Sequence, residues 1–505
     1  MKKSIILLAA LGAALPGLIN AQSAACDNRV NNTPKKLLEC VTVDGVREHQ
    51  AALQAIADAN GGTRAAGTPG YDASATYVAD SLVAAGYDVV ISEFPFTFIP
   101  PATLQQITPV AADYETGQFT GSGSGIVSGP VIGVDLALGT VDWPADPATS
   151  TSGCEAGDFA GLDFSGPSDI ALIQRGTCFF SEKAANAEAA GAEAVIIFNQ
   201  GNSPTRLGLI VGNAEAFPDG SPSNLTAPLV GASFFDGVSL AQAGSTAFIQ
   251  VDPPVLTTQS NVIAELPGDD ANVVIAGAAL DSVLAGPGIQ SNGSGSAAIL
   301  EVALQMAKVK PRNTVRFAWW GAEQSGLIGS TAYVNGLSTE EQESIALYLN
   351  FDMIGSPNFV YFVYDGDDSD GVGAGPGPEG SAQIEAFFER FYIDRGLPFK
   401  GTDLIGRSAY APFIAVGIPA GGLFTGAEGI KTVDEAATWG GTAGDQYDPC
   451  YQLACDTFDN ISLEALDVNS DAAAAAILQF GMSTEVVNGI RGKGNFKSGS
   501  RGPNM

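Results

Sequence analysis

The sequence predicts an α/β protein, a doubly wound, mixed but mostly parallel sheet flanked by helices, with a β-rich domain inserted into it. Three observations lead there. From Gln259 onward, strand-like and helix-like segments alternate, the pattern of a sheet wound with helices on both faces. Between about Gly129 and Asp252 the texture changes to short β runs broken by Gly and Pro, which reads as a separate β-rich unit. The chain also has 505 residues, more than one ordinary domain uses.

The elements follow in order. Lys2 and Lys3 precede an apolar run, Ile5 to Leu15, and then small residues. This predicts a signal peptide over 1–21, cut after Ala21 or Ala25. The run is too short to span a bilayer, so the expected product is secreted, extracellular or periplasmic, with no membrane partner. Residues 22–125 read as the first part of the main domain and a crossover. Val46, Leu53 and Ile56 recur with helical period, and Asn60-Gly61-Gly62 stops that helix. A second helix covers Ala73–Ala85 and a strand Tyr87–Ile91. The Pro-, Thr- and Gly-rich stretch 93–125 reads as the crossover.

Residues 126–255 form the expected insert. Its clearest unit is a strand Asp169–Gln174, a helix Ser181–Ala190 stopped by Gly191, and a strand Ala192–Asn199. Over 256–487, strands are expected at Asn261–Leu266, Ala271–Ala278, Thr314–Trp320, Leu347–Asp352 and Phe359–Val363. Helices are expected at Gly295–Ala307, Thr339–Ser344, Ser381–Gly396 and Asp467–Phe480. In such folds a site lies beyond the carboxyl ends of the strands. The last segment, 488–505, carries Arg491, Lys493, Lys497 and Arg501, no acid, and many Gly and Ser; it reads as a flexible tail.

Charge limits the partners. Asp and Glu outnumber Lys and Arg by 55 to 23, for a formal charge of −32. Such a surface repels nucleic acid and anionic membranes. The six cysteines form an even set in an exported chain, which suggests disulfides. Their clustering suggests Cys26–Cys40, Cys154–Cys178 and Cys450–Cys455, a connectivity that spacing alone leaves open.

Three segments sit just after predicted strands: Gly277–Val283, Trp319–Gln324 and Asn350–Ile354. Gly286-Pro287-Gly288-Ile289-Gln290-Ser291-Asn292-Gly293-Ser294-Gly295 opens a helix. Gly406-Arg407-Ser408, Gly421–Gly426 and Cys450–Thr457 follow. This ordered set resembles the secreted double-zinc aminopeptidases of bacteria and fungi, over nearly all of the mature chain. Within the insert, Ala171–Cys178, Lys183 and Ala189–Ala192 resemble the protease-associated (PA) domain found in many of them.

The resemblance implies two zinc ions that share a bridging carboxylate and lower the pKa of a bound water to about 7. A glutamate then takes the proton. Carried onto this sequence, Glu323 stands at the general-base position. Asp281 stands where an acid orients a metal-binding His, and Tyr451 where a phenol polarises the substrate carbonyl. Asp352 is the one ligand retained. The other ligand positions hold Ala279, Ser291, Gln324 and Gln452. Ala409 stands where the family carries Asp.

The single histidine, His49, lies beside Glu48 on the first helix and is expected to face solvent, so no imidazole is left for zinc. The acidic run Asp365–Gly371 lacks EF-hand spacing and reads as a solvated turn. The expectation is therefore a pseudo-peptidase of aminopeptidase fold with no cofactor. It would bind a peptide or protein, or assemble with a second copy of itself. The alternative is an active metal-dependent aminopeptidase with an atypical zinc site.

Overall fold

The computed structural model describes residues 26, 28–138, 150–373 and 375–489. The predicted signal peptide and all but the first two residues of the basic tail lie outside them. The chain divides into two compact units: Thr97–Thr257 form one, and the chain on either side of that segment forms the other.

The larger unit is built on β1 (Val89–Phe98), β9 (Val255–Leu266), β10 (Asp269–Ala279), β11 (Asn313–Trp320), β12 (Ile345–Phe351), β13 (Phe362–Tyr364), β14 (Lys400–Thr402) and β15 (Ala420–Phe424). Their order is β1-β9-β11-β10-β12-β15-β13-β14. The centre is parallel: β10 pairs with β11 and β12, and β12 with β15. β9 runs antiparallel to β11, and β13 to β15.

The sheet is buried on both faces, which is why its central strands read as continuous apolar runs. Val274, Ala276, Phe317, Trp319 and Leu349 pack on one face with the helices Val43–Ala59, Gly293–Met306 and Leu463–Met482. Val273, Ile275, Ala318, Trp320 and Tyr348 pack on the other with the helices Ile328–Gly336 and Ala411–Ala415. Each fully buried aliphatic or aromatic side chain contributes about 1.5–3 kcal/mol, so this double core dominates the unit's stability. The doubly wound reading of the sequence is the observed architecture.

The second unit has its own seven strands: β2 (Thr103–Thr108), β3 (Ala112–Tyr114), β4 (Gly125–Val134), β5 (Ile170–Gln174), β6 (Ala194–Phe198), β7 (Leu229–Ala232) and β8 (Thr246–Val251). Their order is β3-β2-β8-β4-β5-β6-β7. The helix Phe180–Ala190 connects the parallel pair β5 and β6, and Gly191 ends it at a left-handed φ of 106°, a conformation glycine adopts without strain.

Several expectations need correction. The stretch 93–125 is not a bare crossover. β1 runs on to Phe98, and β2 and β3 pair into the second unit. Leu104 and Gln106 point inward while Gln105 faces out, a two-residue alternation that the Pro, Thr and Gly content obscured. The compact unit that holds the segment 126–255 also takes in the chain from Thr97. The strand expected at Phe359–Val363 is confined to Phe362–Tyr364. The helix expected from Asp467 starts at Leu463, because the Ser462 side chain caps it by accepting from Ala465 N–H.

His49 does not face solvent. It is 8% exposed, with Nδ1 2.7 Å from the Tyr77 hydroxyl and Nε2 3.4 Å from Glu301 Oε2. Its helix turns this position towards the helix Gly293–Met306, while the neighbouring Glu48 stays exposed. All three suggested disulfides are formed.

Candidate active site

The carboxyl ends of β10, β11 and β12 meet at one cleft. β10 ends at Ala279 and is followed by Asp281. β11 ends at Trp320 and is followed by Glu323 and Gln324, and β12 is followed by Asp352. The loop Gly288–Asn292 and the Cys450–Cys455 loop complete it. The cleft holds about 290 Å³ and is lined by Ser291, Glu323, Gln324, Asp352, Tyr451 and Gln452, with Arg407 and Met353 among its neighbours. The structure thus brings together every predicted site residue except two. Ala279 lies behind the cleft, 3% exposed, and its carbonyl accepts from Ser296 Oγ. Asp281 is fully buried and does not reach the cavity.

Asp281 has a different task here. Its two oxygens accept the backbone N–H groups of Glu323 at 2.9 Å and Gln324 at 3.0 Å, so it fixes the turn that presents Glu323. Burial lifts its carboxyl to about 6. Arg64, which the sequence reading passed over, lies beneath the same loop. Its guanidinium is buried and donates to the carbonyls of Leu280, Pro287 and Gly288. No motif spacing pointed to it; a lone arginine before a small-residue run carries no local signal of burial. Asp456, also missed, accepts from the N–H groups of Gln290 and Ser291 and ties the Cys450–Cys455 loop to the loop below the cleft.

The cleft backbone is strained. Among the described residues, four that are neither Gly, Asn nor Asp adopt positive φ: Ala322 at 53°, Leu327 at 60°, Met353 at 50° and Gln452 at 57°. All four line the cleft or adjoin a residue that does. Such conformations cost about 1–3 kcal/mol each and persist only where the surroundings enforce them. They concentrate at functional sites.

The electrostatics are unusual for a closed core. Glu323 is 7% exposed. Burial first, then the neighbouring carboxylates of Asp352 and Asp281, push its carboxyl well above the usual range. Asp352 is also raised by burial, while the Ser408 hydroxyl, donating to its Oδ2 at 2.6 Å, opposes that rise. Burial likewise lifts the Tyr451 phenol to about 12. Gln452 Nε2 donates to Gln324 Oε1 at 3.0 Å, and Gln324 Nε2 donates to Glu323 Oε2 at 3.0 Å.

These residues do not fit a zinc pair. Zinc takes thiolate sulfur, imidazole nitrogen or carboxylate oxygen. Ala279 offers no donor atom, and Ser291 only a neutral hydroxyl. The amide oxygen of Gln324 is already engaged by Gln452. Among the described residues, Glu323 and Asp352 are the carboxylates presented to the cavity. A second acidic group, Asp365, Asp367 and Glu385, has oxygens within 4.8 Å of one another. The expected solvated turn is partly buried there, since Asp365 is 2% exposed and accepts from Ser369 and Asp370 N–H.

Comparison with known proteins agrees with the fold. Residues 261–477 match Peptidase family M28, and residues 127–240 match the PA domain. An aminopeptidase of Pseudomonas aeruginosa is 46% identical over 486 residues, spanning 94% of this chain and 87% of that protein. A probable lipoprotein aminopeptidase of Mycobacterium tuberculosis is 40% identical over 461 residues, spanning 89% and 87%. The solved aminopeptidase from Aneurinibacillus sp. strain AM-1 superposes with a TM-score of 0.57 at 27% identity, covering 88% of this chain and 96% of that one. A zinc aminopeptidase from Bacillus subtilis superposes at 0.62 with 24% identity, covering 87% and 95%, and shares the fold. On the match to the family model and 46% identity over 94% of its length, this chain belongs to the M28 aminopeptidase family and carries an inserted PA domain.

Proposed function

We propose that this protein keeps the aminopeptidase cleft as a receiver of polypeptide amino termini and does not run it as a two-zinc hydrolase. One observation carries the reading: two carboxylates, Glu323 and Asp352, face the cleft, while Ala279, Ser291, Gln324 and Gln452 stand at four of the five positions where the resemblance implies metal ligands. An α-ammonium group supplies the positive charge that these acids lack. Tyr451 stands beside them to meet the first peptide carbonyl. Losing Asp and Glu ligands together with the cations also relieves the mutual repulsion that bare carboxylates would suffer.

A second reading has its own support. The relatives at 46% and 40% identity are named aminopeptidases, which speaks for aminopeptidase-type function more directly than anything speaks for inactivity. In that reading the protein hydrolyses amino-terminal residues through an atypical metal site that includes Glu323 and Asp352.

One experiment separates the two. Zinc per chain is measured in the purified protein, together with hydrolysis of aminoacyl anilides with and without a chelator. Stoichiometric zinc and turnover that the chelator stops would establish the second reading and end the first. Metal-free protein that binds a free-amine peptide, but not its acetylated form, supports the first. The combined variant Ala279→His, Ser291→Asp, Gln324→Glu and Gln452→His is expected to acquire zinc and activity that the parent lacks.

The site of action we propose is outside the cytoplasm. The N-terminal sequence pattern and three disulfides support export. Among the described residues, no helix is long and apolar enough to cross a membrane. Recovery of the uncut chain from the cytoplasm alone would refute this placement.

A further inference from the structure

Lys183 belongs to the PA-domain motif, and neither reading of the cleft uses it. It sits in the first turn of the helix Phe180–Ala190, fully buried at 0% exposure. A buried ammonium ordinarily has a carboxylate partner. Among the described residues Lys183 makes no ion pair. Its Nζ donates to the Ser152 carbonyl and lies 3.6 Å from Cys154 Sγ, one half of the Cys154–Cys178 disulfide. Burial lowers its pKa to about 8, with Asp158, Glu182 and Asp135 opposing from a distance, so it remains protonated at neutral pH. Both cysteines are partly exposed.

The three disulfides differ in this respect. Arg29 also approaches a disulfide sulfur, Cys40 Sγ at 3.1 Å, but its charge is matched by Glu39 at 2.9 Å, and Cys26 and Cys40 are buried. Among the described residues, Lys183 brings a positive charge with no ion-pair partner to a disulfide that solvent can reach.

We propose that Cys154–Cys178 is a reductively cleavable disulfide in which Cys154 leaves as a thiolate held by the Lys183 ammonium. The chemistry is thiol–disulfide exchange with an external dithiol. A thiolate of the reductant attacks Cys178 Sγ and forms a new S–S bond there. The Cys154–Cys178 bond breaks, and its electron pair stays on Cys154 Sγ beside Lys183. The reductant's second thiol, once deprotonated, then attacks the mixed disulfide and forms the cyclic oxidised reductant. Cys178 is released as a thiolate that takes up a proton. Two electrons pass from dithiol to protein. A leaving thiolate of lower pKa departs faster, and a neighbouring ammonium lowers that pKa. Asn186 Nδ2 donates to the carbonyls of Gly153 and Cys154, so the Cys154 side stays docked on the helix while the Cys178 side is set free.

The full-length protein is treated with dithiothreitol, quenched with an alkylating agent and mapped by mass spectrometry over time. Cys154–Cys178 is expected to open about tenfold faster than Cys26–Cys40. The Lys183→Met variant is expected to slow that opening about tenfold and leave Cys450–Cys455 unchanged. An unchanged rate in the variant overturns the proposal. A second measurement needs no variant. Glutathione, a monothiol, leaves a mixed disulfide on the attacked sulfur. Its capture on Cys178 supports the assignment, and its capture on Cys154 overturns it.

Discussion

Glu323 and Lys183 are both buried ionisable groups without an ion-pair partner among the described residues, yet their surroundings differ. Glu323 sits beside two more acids at the mouth of a cleft of about 290 Å³. Lys183 is buried against the Ser152 carbonyl and the Cys154 sulfur. The first charge can be met by an incoming cation. The second can be met by a change in the protein itself, the appearance of a thiolate at Cys154. An unmatched charge that borders open space favours ligand binding, and one that borders covalent sulfur favours bond exchange.

The largest test concerns what holds the cleft side of this comparison in place. Arg64→Met removes donors from three buried carbonyls, those of Leu280, Pro287 and Gly288. It is expected to cost about 3–5 kcal/mol of stability in urea denaturation. A loss below about 1 kcal/mol would mean that the loop under the cleft is held by other contacts.

Next is the Lys183 side. Its folded pKa of about 8 lies below the ordinary lysine value of 10.5. Below pH 8 the ammonium is charged in both states, and burial destabilises the fold by its full amount. Between about pH 8 and 10.5 the unfolded chain binds more protons, so stability rises with pH. Relative to Lys183→Met, the parent protein is expected to gain about 2–3 kcal/mol across that window. Parallel pH curves for the two proteins would show that the buried charge carries no penalty.

Glu323→Gln should have a smaller effect on stability and a decisive one on binding. Removing a buried carboxylate beside Asp352 and Asp281 is expected to raise stability by about 1–2 kcal/mol at neutral pH. It should also abolish binding of free-amine peptides in calorimetry. If binding persists, the ammonium does not sit at Glu323. The smallest effect is expected at Gln452→Ala. Its hydrogen bond to Gln324 is at an exposed position, so the loss should stay below about 0.5 kcal/mol. A larger loss would give the amide pair a structural weight that its exposure argues against.

Much of the fold was legible because it is local. The β10, β11 and β12 runs are apolar on both faces, and Gly86 and Gly191 stop their helices at left-handed backbone positions. Part of the cleft's lining was legible too, since Ser291, Glu323, Gln324, Asp352, Tyr451 and Gln452 lie in the motifs that follow the predicted strands. The remainder depends on partners hundreds of residues away. Whether His49 faces water depends on Glu301, Asp281's task depends on the turn at Glu323, and Arg64's burial depends on carbonyls more than two hundred residues along.

By itself, then, the sequence determined the elements, the motif order and the absence of imidazole at the cleft. Those follow from residue identity and from periodicity along one strand or helix. Only the tertiary structure decided that Thr97 begins the second compact unit, that Asp281 props a turn, and that Lys183 rests on a disulfide with no ion-pair partner among the described residues. The physical reason is that burial and pairing belong to the space between segments, where the energy of a charge is set by whichever neighbours the fold places there.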